Sequence, residues 1–229
     1  MNNFDSYLFI TVFIVFLINI SGYTFSYLIV TKVLGCENQI QPKAVRNKNY
    51  LFQHTPLFIL NVSILILFVF IGFYYFQEII ISSYLFDSAL IVFIELFVIL
   101  LFDDVFFYFL HRLMHENKFI YSKIHKIHHR ANSPIPIDYI YVHPLEWMSG
   151  FIGPFIGILA LGGVSIFSFW LYLLIRNIHE LLIHSGLRSG YFNFPFYGTN
   201  EHHDVHHAKR NGNYASTFTF WDYLFKTKI

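Results

Sequence analysis

Apolar residues in this chain run in long unbroken blocks instead of alternating with polar ones. Residues 7–30 hold no charged side chain, and roughly 20 apolar residues suffice for a helix to cross a bilayer. The block is too long for the apolar core of a signal peptide and no Lys or Arg precedes it, so it reads as a retained span. Residues 57–76 form a second span. Residues 88–110 form a third, which carries Glu95 and ends on Asp103 and Asp104. Block 147–183 is too long for one pass, and Gly162-Gly163 interrupts it. Adjacent glycines favour a turn, so the block predicts a hairpin of two helices, the first of them short.

The basic residues test this topology. Lys32, Lys43, Arg46 and Lys48 lie between the first two spans, and the 77–87 loop has none. Arg112, Lys118, Lys123, Lys126 and Arg130 follow the third span, and Lys209, Arg210, Lys226 and Lys228 lie in the tail. With a hairpin at 147–183 all three sets fall on one side, which the positive-inside rule makes the cytosol. The N-terminus then lies opposite. A single pass would separate the tail from residues 112–130. The expected fold is an all-α integral membrane protein with about four to five transmembrane helices, three spans plus the hairpin, and a cytosolic histidine-rich helical cap.

Composition agrees. Of 229 residues, 55% are hydrophobic and 13% charged, about half the charged share of an ordinary soluble domain. The net charge of +1 gives no reason to expect a nucleic-acid partner. The lone cysteine, Cys36, can form neither an internal disulfide nor a Cys-rich zinc site. Thirteen histidines nearly match the fifteen Lys and Arg together.

Most of the histidines fall into three clusters. His111-Arg-Leu-Met-His115 puts two imidazoles at i and i+4, on one face of a helix. His125-Lys-Ile-His128-His129 and His203-Asp-Val-His206-His207 share faces at i, i+3 and i, i+4. The topology brings all three to one membrane face. Eight candidate ligands exceed the four of a structural zinc and suit two metals. Imidazole serves iron, zinc, copper and nickel alike. Asp104, seven residues before His111 and on its face, can accept a hydrogen bond from a ligand's remaining N–H. His143, His179 and His184 are further candidate ligands beside the hairpin, with support of a ligand or the lining of a substrate channel as their alternative duty. His54 and His202 read as ordinary surface or core residues, and Asp103 as a solvated boundary residue. Glu95, inside a span, should face protein or a cavity.

In order, Asp104-x-x-x-Tyr108-x-x-His111-x-x-x-His115, His125-Lys-x-His128-His129, His184-Ser-Gly and His203-Asp-x-His206-His207 resemble the fatty acid hydroxylase and sterol desaturase superfamily, from about residue 85 to the C-terminus. Tyr141-Val-His143-Pro-Leu-Glu146, Glu201-His-His-Asp-Val-His-His207 and Gly212-Asn-Tyr-Ala-Ser-Thr-Phe218 with Trp221-Asp222 are most similar to the sterol carbon-4 methyl oxidases. The resemblance implies membrane helices over 1–84 and a catalytic domain over 85–229. It implies a histidine-ligated di-iron centre supported by Asp104 and Tyr108, and oxidation of a lipid C–H bond with O2. Sterol carbon-4 methyl groups are the implied target, with sterol carbon-5 desaturation, sterol 25-hydroxylation or fatty acid and sphingolipid hydroxylation as alternatives. The chain shows no haem, flavin or nicotinamide motif, so electrons must come from an external donor; the resemblance implies cytochrome b5 and its reductase, and the endoplasmic reticulum. The lipid would arrive from the bilayer past Phe106, Phe107, Tyr108 and Phe109. A histidine-rich metal transporter would spread its histidines along the spans, and a non-catalytic scaffold would show a broken cluster; neither pattern is present.

Overall fold

The computed structural model describes residues 3–34, 37–44, 46–81, 88–190 and 195–229; Cys36 and the boundary expected at 84/85 lie outside them. Among the described residues the fold is helical, with isolated β-bridges but no strand. The long helices are α1 (Asn3–Val30), α2 (Lys48–Ile80), α3 (Ala89–Glu116) and α7 (Ile166–Ile183). Short helices complete it: α4 (Lys118–Lys123), α5 (Pro144–Ser149), α6 (Ile152–Ala160), α8 (Asn200–Lys209) and α9 (Phe220–Leu224). Polar side chains that accept N–H bonds in the first turn set several helix starts: Asn47 for α2, Ser88 for α3, Ser165 for α7 and Thr199 for α8.

Helices α1, α2 and α7 are long and apolar enough to cross a membrane. Their outward faces carry bare aromatic and aliphatic side chains, among them Phe9, Phe13 and Phe16 on α1 and Phe70, Tyr74 and Tyr75 on α2. Patches of this extent are suited to lipid, not water. Helix α3, where the third span is expected, equals α1 in length at 28 residues. Of its four acids, Glu95, Asp103 and Asp104 are buried and Glu116, its last residue, is exposed.

The expected hairpin is present. Gly162 and Gly163 take φ of 71° and 101° between α6 and α7, a region that costs other residues strain. Glu95 accepts from the Ser165 N–H at 3.2 Å and its hydroxyl at 3.1 Å, so α3 anchors the first turn of α7. The Val164 N–H reaches the Ile80 carbonyl at 2.9 Å, tying the same turn to the end of α2. Helix α6 lies hard against α3. A Cβ on Gly153 would stand 2.9 Å from the Asp103 Cα, and one on Gly157 3.0 Å from the Ile99 Cα. Two glycines four residues apart thus make the flat stripe that lets membrane helices touch backbone to backbone. Helix α6 touches α2 far less.

At the opposite end of the helices the chain folds into a polar cap. Residues 131–142 are pinned by α2: Asp138 accepts from the Tyr50 hydroxyl at 2.8 Å and from His54 Nδ1 at 2.6 Å, and Asn61 Nδ2 donates to the Ile140 and Val142 carbonyls. His54 stacks on Tyr141 with ring centroids 3.7 Å apart, a packing role as expected. Gln41 crosses the cap, donating to Asp204 and to the Asn132 carbonyl.

Candidate metal centre

Nine imidazoles converge in the cap as two groups. His111, His115, His125, His129 and His206 form one; His128, His184, His203 and His207 form the other; within each, one nitrogen per residue lies within 4.8 Å of all the rest. The groups adjoin, with the rings of His129 and His207 5.0 Å apart.

The sequence pattern divides between the groups in a way the spacing alone does not reveal. In each H-x-x-H-H cluster the i, i+4 pair goes to one group and the i+3 histidine to the other. His125 and His129 join the first and His128 the second, while His203 and His207 join the second and His206 the first. The second cluster rides a 3-10 turn at His125–Arg130, the third the α-helix α8. His111 and His115 come from the last turns of α3, and His184 from the end of α7.

Hydrogen bonds on the far side of five of these rings, His111, His125, His184, His206 and His207, aim the near side inward. Nδ1–H donates to the Tyr214 carbonyl from His111 (2.7 Å), to Glu180 from His184 (2.9 Å), to Gly212 from His206 (2.7 Å) and to Ala131 from His207 (2.8 Å). His125 Nδ1–H donates to the Glu146 carboxylate at 2.8 Å. These bonds fix the tautomer and leave Nε2 as a bare lone pair. The inward nitrogens crowd one another. His115, His125 and His129 form a triangle of Nε2 atoms 2.8, 3.0 and 3.0 Å apart, and His203 Nε2 stands 2.9 Å from that of His184 and 3.1 Å from that of His207. One proton cannot serve every side of such a trio, whereas a cation can. His111 Nε2 and His206 Nε2 are buried with no hydrogen-bond partner.

The spacing also bears on coordination. A metal about 2.1 Å from two imidazole nitrogens sets them roughly 3.0 Å apart at a right angle and roughly 3.4 Å apart at the tetrahedral angle. The shortest of the observed contacts, 2.8–3.1 Å, are within reach of nitrogens sharing one metal. Burial pushes His125 and His128 down to about 3 and holds His203, His206 and His207 well below the usual histidine range. The rings are therefore neutral at physiological pH, the form that ligates.

Several candidates sit elsewhere than expected. His143 caps α5, its Nδ1 accepting from the Leu145 N–H at 3.1 Å, and belongs to neither group. His179 is also outside them, its nitrogens 2.7 Å from the Tyr197 hydroxyl and 3.3 Å from the Ser216 carbonyl. His202 lies 3.2 Å from Asp222. Asp104 touches no histidine: two helical turns separate it from His111, about 10 Å along the axis. It accepts instead from the main-chain N–H groups of Thr217 and Phe218 and from the Trp221 indole. Tyr108 likewise bonds Thr227 at 2.8 Å and stacks on Phe225. Both residues hold the C-terminal segment, and that segment supplies the Tyr214 carbonyl to His111. Asp103 is not solvated. It is buried, accepting from Arg176 Nε at 2.7 Å and the Tyr172 hydroxyl at 3.0 Å, and Arg176 also pairs with Glu180.

An open cavity leads from the helices to the histidines. Apolar residues of α2, α6 and α7 line it, Phe68, Phe73, Phe155 and Leu173 among them, and its inner end is lined by His111, His125, His128, His184, His203 and Glu146. Of the four aromatic residues expected beside a lipid path, Phe107 lines it. Phe106 packs at Gly153, and Tyr108 and Phe109 pack on Phe225.

Helices that present apolar faces outward and gather two histidine groups at the end of an apolar cavity define a membrane protein whose histidines could hold metal beside an apolar space. Residues 96–227 match the fatty acid hydroxylase family, and the chain belongs to that family. Methylsterol monooxygenase 1 of Rattus norvegicus is 43% identical over 124 residues, 53% of this chain and 42% of the relative. A methylsterol monooxygenase of Aspergillus fumigatus is 35% identical over 127 residues, 52% of this chain and 43% of the relative. A very-long-chain aldehyde decarbonylase of Oryza sativa subsp. indica is 37% identical over 127 residues, 51% and 46% of the two chains. The matched region thus spans less than half the length of each of these relatives. No solved structure matches the chain.

Proposed function

We propose that this protein is a membrane-bound non-haem di-iron oxygenase that oxidises a C–H bond of a lipid with O2, and that the lipid is a sterol methylated at carbon four. The observation that carries the reading is the pair of histidine groups at the closed end of an apolar cavity. His111, His115, His125, His129 and His206 would hold one iron, and His128, His184, His203 and His207 the other. Bound iron would supply the redox chemistry needed to activate dioxygen for attack on an otherwise inert C–H bond. The chain's own residues do the rest. The Nδ1–H bonds to Tyr214, Glu146, Glu180, Gly212 and Ala131 keep the lone pairs of His111, His125, His184, His206 and His207 aimed inward. The walls of α2, α6 and α7 exclude water and orient the lipid.

Electrons would come from an outside donor, cytochrome b5 with its reductase being the proposed one. The cap would face the cytosol from the endoplasmic reticulum, with the N-terminus opposite, residues 1–84 anchoring the catalytic part at 85–229. The sterol reading draws on the relatives in rat and Aspergillus named methylsterol monooxygenases. Aldehyde decarbonylation is the second reading, favoured by the rice relatives.

The test is to purify the full chain, count iron, and compare lipid products of wild type and His206→Ala supplied with O2 and reductant. Two irons and an oxygen-dependent oxidised sterol lost in the variant is the expected result. A protein that takes up no iron, or gives the same products in both forms, would sink the proposal.

A further inference from the structure

Glu146 stands where the apolar cavity meets the first histidine group. Its side chain is 10% exposed. One carboxylate oxygen, Oε1, accepts from His125 Nδ1–H at 2.8 Å. The other, Oε2, is buried and has no partner. An unpaired buried carboxylate oxygen is costly, because it has given up water without gaining a donor. Four neighbouring donors in the same wall are already engaged. The Trp147 indole donates to the Asn61 carbonyl, the Tyr139 hydroxyl to Asn177, the Tyr172 hydroxyl to Asp103, and Arg176 to Asp103 and Glu180. Glu146 is also absent from both histidine groups. None of these four turns to Oε2, and a guest that carries a donor would satisfy it.

We propose that Glu146 Oε2 accepts a hydrogen bond from a hydroxyl of the lipid, and that this bond selects a lipid alcohol whose hydroxyl lies beside the carbon to be oxidised. The inference rests on the reading of the cavity as the substrate site. Apolar walls bind the body of the lipid without regard to orientation. A single acceptor at the inner end gives it a direction: the hydroxyl docks on Glu146, and the carbons next to it fall against His111, His125 and His128, which line the same end. A lipid without that hydroxyl would leave Oε2 unpaired, and a bulkier group there would meet the Glu146–His125 pair.

The test is binding, read without turnover. The full metal-loaded chain in detergent is titrated with a carbon-four-methylated sterol and with the methyl ether of the same sterol, in competition with a fluorescent sterol. The alcohol should bind roughly 10- to 100-fold more tightly, the usual range for a hydrogen bond to a charged group. Glu146→Gln should abolish the preference. Its amide oxygen still accepts from His125, while its NH2 puts a donor where Oε2 was. Metal is counted in each sample. Equal affinity for alcohol and ether in the wild type overturns the proposal whether or not the variant folds. So does a preference that persists in Glu146→Gln, with or without a change in metal content. No product is measured, so a failed oxidation assay would count against the proposed reaction and leave this result standing.

Discussion

His111 and Tyr214 are joined by a 2.7 Å hydrogen bond from the imidazole Nδ1–H to the main-chain carbonyl, which makes the C-terminal segment part of the metal site. The segment is held in turn by Asp222, which accepts from the N–H groups of Tyr214 and Ala215 and from the Thr227 hydroxyl. In Asp222→Asn one oxygen must serve all of these donors. The variant should lose about 1–3 kcal/mol of stability and retain less metal than wild type after desalting. Chemical denaturation and elemental analysis on the same preparation check both outcomes.

His184 and His143 both flank the hairpin, but only His184 belongs to a histidine group. His184→Ala should lower the metal content. His143→Ala should leave it unchanged and cost only the α5 cap, about 1 kcal/mol. Metal counts that fall equally in both variants would contradict the placement.

A Cβ on Gly157 would stand only 3.0 Å from the Ile99 Cα, whereas one on Gly72 would have nothing within 4 Å. Gly157→Leu must push α6 off α3 and should destabilise the fold by about 1–3 kcal/mol or more. Gly72→Ala in α2 should leave the thermal midpoint unchanged or raise it slightly. Thermal melts in one detergent compare them directly.

Arg176 is the cation between Asp103 and Glu180. Arg176→Met strands two buried carboxylates, and removing one partner of a buried ion pair typically costs about 3–5 kcal/mol. The double variant with Asp103→Asn should recover part of that loss. A single variant as stable as wild type would show that water reaches the pair.

Acid should weaken the metal-free protein through its cap. His125 and His128 are held at about 3 by burial, against 6.5 when unfolded. Between those values the unfolded chain binds more protons than the folded one. The stabilisation is complete above pH 6.5 and is lost as pH falls towards 3, by roughly 1.4 kcal/mol per pH unit for each such group. Denaturant midpoints at pH 7, 6, 5 and 4 should fall in that order, and a flat profile would show that the rings are hydrated.

Much of this was legible from residue order. Charge sidedness and the Gly162-Gly163 break predict the hairpin, because turn chemistry is local and the positive-inside bias is additive along the chain. The spacing of His111, His115, His125, His128, His129, His203, His206 and His207 marks the site for the same reason. What escaped were relations between distant segments. The division of each H-x-x-H-H cluster between two groups depends on how a 3-10 turn and α8 face each other. Asp104 shares a helix face with His111, but the rise of the helix carries it out of reach, and its partners lie more than a hundred residues away. Asp103 reads as a boundary charge until Arg176, on another helix, is placed beside it. Asp138 and Asn61 carried no motif, since the loop they hold is irregular backbone whose donors and acceptors only the fold reveals.

The uneven embrace of α6, close on α3 and sparing on α2, gives the cavity one closely packed wall and one loosely packed one. Every histidine in the two groups is mounted on α3, on α7 and its C-cap, or on the cap segments, and none on α2. A rigid, bulky guest wedged between α2 and α6 would thus spend its pressure on the side that carries no ligand. The metal centre would keep its bearings while the doorway widens.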